Sequence, residues 1–98
     1  MAHGHGLRVL PHMWGTSVRL AATLHWQAML PDGPGLLPEP CLFESDRTEN
    51  GLRTELAAAP LEHEDGRFAV PHAPGLGIEL RRDVIETYTV DTTFVEAA

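Results

Sequence analysis

Two residues of this chain are placed to do acid–base chemistry together: His12, just after the apolar run Leu7–Pro11, and Glu44, just after Cys41–Phe43. An imidazole titrates near neutrality and suits proton abstraction, whereas a partly buried glutamate can hold or donate a proton. If the two runs are adjacent parallel strands, they lie ~4.8 Å apart, and both side chains open into one cleft. The spacing alone leaves a second reading open. In that reading His12 hydrogen-bonds a loop and Glu44 is a solvated acid.

The elements between them decide which reading has a frame to stand on. Leu7–Pro11 has strand length, and Thr16 or Ser17 offers an N-cap for a helix that runs to Leu30. Val18, Ala21, Ala22, His25, Ala28 and Met29 share one face at helical spacing, widened by Leu20 and Leu24. Pro31-Asp32-Gly33-Pro34-Gly35 ends the helix. Cys41-Leu42-Phe43 is then a second strand, and the order strand–helix–strand predicts a right-handed βαβ unit.

Past Glu44 the texture changes. Arg53–Ala59 predicts a helical turn or two. Asp65-Gly66 predicts a small hairpin between Leu61-Glu62-His63 and Phe68-Ala69-Val70. Asp83 is placed to cap a short helix through Tyr88, and Thr89–Val95 has strand composition. Nine Gly and eight Pro, clustered between apolar runs, argue for many turns.

Composition excludes several classes. The formal net charge of −7 and seven scattered Arg disfavour nucleic acid and anionic membrane surfaces as partners. There is no Lys, so the chain has no amine for Schiff-base chemistry or a lysine base. Cys41 is the single cysteine, which precludes an internal disulfide; its apolar neighbours predict an inert, buried thiol. No secretory leader or membrane-length apolar run is evident, and a cytoplasmic location is the default expectation.

The remaining histidines and aromatics have ordinary readings. His3 and His5 sit in a predicted flexible tail, residues 1–6, too poor in ligands for a metal site. His25 is expected to pack in the core, and His63 and His72 to be solvated near turns. Trp14 and Trp26 are expected to pack. Gly75-Leu76-Gly77 lacks the third glycine of a dinucleotide site, and Arg81-Arg82 is too small a basic patch to imply a partner.

Taken in order, these segments resemble one family. Pro11-His12-Met13-Trp14-Gly15-Thr16-Ser17-Val18 with Leu20–His25 resembles the last complete strand and helix of mandelate racemase-like barrels in the enolase superfamily. Cys41-Leu42-Phe43-Glu44 resembles the eighth strand, and Asp46–Asn50 with Glu55-Leu56 the segment after it. Asp65-Gly66, Val70-Pro71 and Pro74–Leu80 resemble the closing signature. The resemblance runs from about Gly6 to Tyr88.

It implies an α/β fold: a partial (β/α) barrel of two last parallel strands with their connecting helix, then a hairpin and a C-terminal extension. Residues 7–98 would form this barrel piece. It also implies a reaction, removal of the proton alpha to a carboxylate in an acid-sugar dehydratase or racemase. His12 matches the family's histidine base, and Glu44 matches the glutamic acid that hydrogen-bonds the substrate carboxylate. The Mg²⁺ of such enzymes is held by carboxylates on the third, fourth and fifth strands, and most members carry a lysine base after the second. None of these has a counterpart here. A full barrel takes ~250 residues, so the chain is expected to be a remnant, inactive alone. The competing expectations are an interaction subunit that completes a split barrel with a partner chain, and a small non-catalytic His-rich domain.

Overall fold

The computed structural model describes residues 1–31 and 42–96. Cys41 and the Asp32–Gly35 part of the helix-ending segment lie outside the described residues. At the N-terminus, Ala2–His5 coil into one exposed 3-10 turn closed by the left-handed Gly6.

The first half is a βαβ unit. Strand β1 is His12–Met13, helix α1 is Ser17–Ala28, and strand β2 is Glu44–Ser45. β1 and β2 pair in parallel, with His12 opposite Glu44 and Met13 opposite Ser45. Both strands are shorter than the apolar runs suggested and start later, so His12 and Glu44 stand within the ladder rather than after it. Glu44 N–H donates to Pro11 O at 2.9 Å, and Asp46 N–H to Met13 O at 3.2 Å.

Helix α1 starts at Thr16, whose backbone is extended and whose carbonyl accepts the first intrahelical bond from Leu20. No Gly or Pro interrupts the stretch, which is rich in Ala and Leu. It ends through tighter bonds, Met29 N–H to Trp26 O and Leu30 N–H to Gln27 O, just before Pro31. Its buried side is Ser17, Leu20, Ala21, Thr23 and Leu24. The expected face was therefore rotated: Ala22, Ala28 and Met29 are exposed, and Leu20 and Leu24 are the centre of the stripe rather than its margin.

The core explains the rotation. Met13, the inward residue of β1, clusters with Leu20 and Leu24, and Phe43, Leu61, Phe68 and Val70 pack around them. Large aliphatic groups decide the contact because they remove most area from water. The Phe43 and Phe68 rings meet at 5.6 Å between centroids.

Helix α2, Gly51–Thr54, is a single turn that begins before the expected Arg53. A Cβ at Gly51 would meet the Tyr88 hydroxyl, the tip of a partly exposed side chain that would have to swing aside. A bridge between Ala57 and Leu80, with Arg81 N–H to Leu56 O and Ala58 N–H to Glu79 O both at 2.8 Å, ties the C-terminal segment down. The hairpin forms as expected around Asp65 (φ 49°) and Gly66 (φ 75°), both left-handed as a two-residue I′ turn demands. Its pairing is limited to Glu64 and Arg67.

Helix α3 is Arg82–Tyr88. Asp83 lies in its first turn and does not cap it; Arg81 holds the cap position and its guanidinium pairs with the Asp83 carboxylate. Residues 91–96 are not a strand, although the composition suggested one. No neighbouring strand is paired with them, and Val90, Phe94 and Val95 lie open to water. Among the described residues no helix is long and apolar enough to cross a membrane.

Candidate functional site

The ladder brings the two chemically suggestive residues together. Register partners on parallel strands project to the same side, and here His12 Nδ1 donates to Glu44 Oε2 at 2.6 Å. Alternation along β1 buries Met13 beneath the pair and turns His12 and Trp14 outward. The two side chains stay 68% and 61% exposed, so the pair sits at an open mouth. Trp14 stands 60% exposed, and Trp26 is exposed as well; neither packs as their size suggested. An imidazole and a carboxylate in contact can share a proton and pass it between a nitrogen and an oxygen.

Two residues beyond Glu44 begins a buried polar group that the sequence reading passed over. The Asp46 side chain is 1% exposed and that of Arg53 is 8% exposed. Asp46 Oδ1 accepts bonds from Thr48 N–H at 2.8 Å and Thr48 Oγ1–H at 2.6 Å. Those hydrogen bonds, with a smaller contribution from the Arg53 charge, hold the Asp46 carboxyl below its ordinary range. Arg53 Nη2 donates to Thr48 O at 3.0 Å. The usable signal was the Asp-x-Thr spacing, which favours an Asx turn.

The other histidines are apart from this chemistry. His25 is half-buried, and its Nε2 donates to Leu76 O at 3.0 Å. His63 sets its edge against Phe68 and is otherwise exposed, as is His72. His3 and His5 lie in the exposed N-terminal turn. Among the described residues no three His, Cys, Asp or Glu side chains converge as metal ligands.

A sequence description of the enolase C-terminal domain-like family matches residues 1–84 of this chain. The chain belongs to that family. The match includes both His12 and Glu44, and leaves most of α3 and the tail beyond it. D-galactarolactone cycloisomerase of Agrobacterium fabrum strain C58 is 42% identical over 85 residues, which are 86% of this chain and 22% of that protein. The crystal structure of 3,6-anhydro-D-galactonate cycloisomerase from Zobellia galactanivorans superposes with a TM-score of 0.70 at 34% identity, over 89% of this chain and 22% of that one. A mandelate racemase-like protein of Bordetella bronchiseptica RB50, solved with 2-oxoglutarate and phosphate, gives 0.73 at 33% identity, over 94% and 23%. The chain thus spans under a quarter of the length of each relative. Its two parallel strands and helix are the matching part of an enolase superfamily barrel.

Proposed function

We propose that this chain supplies the His–Glu half of an active site that removes the proton alpha to the carboxylate of an acid sugar. His12 is the base and Glu44 the electrophilic acid. The observation that carries the reading is the 2.6 Å contact between His12 Nδ1 and Glu44 Oε2 across one rung of the parallel ladder. The names of the similar cycloisomerases, both acting on sugar-derived acids or lactones, support the substrate class.

Closed on each other, His12 Nδ1–H donates to the Glu44 carboxylate. The working pair carries one proton more, taken from solvent as the substrate binds: a protonated Glu44 donates its O–H to the substrate carboxylate, and a neutral imidazole is left with one unprotonated nitrogen. The freed nitrogen then takes the α-proton, and the Glu44 O–H meets the negative charge that develops on the substrate carboxylate. Racemisation, dehydration and cycloisomerisation all begin with this step.

The Mg²⁺ expected of such an enzyme finds no ligand set among the described residues. Its carboxylates belong to strands that are not part of this unit. Leu7, Leu10 and Leu42 are exposed beside the two-stranded sheet, which supports a reading in which further strands, of the same or a partner chain, cover it.

The test is exchange of the α-proton for deuterium in D₂O with a panel of sugar acids. The chain is assayed alone and joined behind the preceding barrel segments of the Agrobacterium cycloisomerase it resembles. The joined protein is expected to exchange and the chain alone to be inert. His12→Asn should slow exchange by about 10²–10⁴-fold, and Glu44→Gln by about 10²–10³-fold. Exchange by the chain alone, or undiminished exchange in His12→Asn, would overturn the proposal.

A further inference from the structure

We propose that Asp46, Arg53 and Asn50 are positioning residues that hold Glu44 against His12. The inference rests on reading those two as one site, and it assigns a purpose to a costly feature. Asp46 Oδ2 and Arg53 Nε are buried, face each other at 3.7 Å and have no hydrogen-bond partner. An ion pair of that quality does not repay the removal of two charges from water. A well-packed apolar pair would serve stability at least as well.

Connectivity shows what the polar version does that an apolar one could not. Glu44 and Asp46 are alternate residues of one extended segment, and Asp46 makes the last ladder bond, N–H to Met13 O. Its carboxylate then bends the chain through Thr48, and Arg53 clamps Thr48 O from the other side. Asn50 Nδ2 reaches back to Gly15 O at 3.1 Å. Ser17 Oγ, fully buried, donates to Arg53 O at 2.7 Å. The segment after β2 is therefore bound to the loop after β1 through Asn50 and to the start of α1 through Arg53. Each loop leaves the ladder one or two residues past a member of the pair. Both side chains are exposed, so the backbone fixed beneath them sets the distance across which their tips meet.

A structural role and a positioning role separate by spectroscopy. Which ring nitrogen carries the proton is set by the bond the imidazole makes, so long-range ¹H–¹⁵N spectra of His12 in the full chain report the contact without any turnover. The wild-type chain is expected to show the proton on Nδ1, and Glu44→Ala defines the unpaired spectrum. Asp46→Asn is expected to move His12 to that unpaired spectrum. The double variant Asp46→Leu with Arg53→Met removes both buried charges together; it should melt cooperatively and still show the unpaired spectrum. Asn50→Ala, which buries no charge, should shift the same way and decides the matter if Asp46→Asn does not fold. Retention of the Nδ1 proton in any cooperatively melting variant would overturn the positioning role. A wild-type chain without the Nδ1 proton would instead sink the pair itself, and the positioning role with it.

Discussion

The halves of this molecule spend their apolar residues differently. Between Pro11 and Ala57, Met13, Leu20, Ala21, Leu24, Leu56 and Ala57 are buried around a helix and a parallel ladder. From Leu61 onward Val84 is the buried apolar residue among those described, while Ile85, Tyr88, Val90, Phe94 and Val95 face water. The first half is an organised frame that carries the candidate chemistry. The second is a wrapping held by the Ala57–Leu80 bridge, the Phe43–Phe68 contact and Tyr88 over Gly51. The family match covers the frame and continues through the wrapping as far as residue 84.

That contrast can be broken at graded points. Leu20→Ala or Leu24→Ala removes a fully packed side chain from the frame and should cost about 2–5 kcal/mol. Against a total of about 5–15 kcal/mol for a typical domain, thermal melting followed by circular dichroism should show most of the cooperative transition lost. A near-normal melting temperature would mean that the frame is not where stability resides.

Acid should act on the same half. Asp46 has its carboxyl held below the ordinary value by the Thr48 bonds. The unfolded chain therefore takes up this proton first as pH falls. The stabilisation is fully present above the ordinary carboxylate value and is lost as pH drops through the folded one. Wild type should lose stability over that window more steeply than Asp46→Asn in urea titrations. Parallel curves would remove Asp46 from the frame.

In the wrapping the effects should be smaller. Gly66→Val places a β-branched residue at φ 75° and should cost about 1–2 kcal/mol, read as a lower urea midpoint with unchanged slope. Removing residues 91–96 should change stability by less than about 0.5 kcal/mol; a larger loss would mean that the tail covers part of the frame.

The sequence disclosed the frame because its signals are local. Thr16 and Pro31 bracket α1, and Asp65-Gly66 can hardly form anything but a tight turn. The His12–Glu44 contact was legible through chain order, since a strand–helix–strand unit sets the carboxyl ends of its strands side by side. What stayed hidden depended on partners distant in sequence. The buried face of α1 is chosen by Met13 below it and by Phe43, Leu61 and Phe68 around it, which helical periodicity cannot weigh. Thr89–Val95 has the residues of a strand, yet a strand exists only where another lies beside it. The pairing of Asp46 with Arg53, two charged residues in a polar stretch, was not legible because pairing and burial leave no periodic mark.

The ladder that aligns His12 with Glu44 has one more consequence. Slipping it by a single residue would set the imidazole opposite the Phe43 ring or the Ser45 hydroxyl, so the alignment of two short backbone segments is itself a chemical specification. One residue inserted between Glu44 and Asp46 would shift the anchoring bond to Met13 and separate the acid from its base.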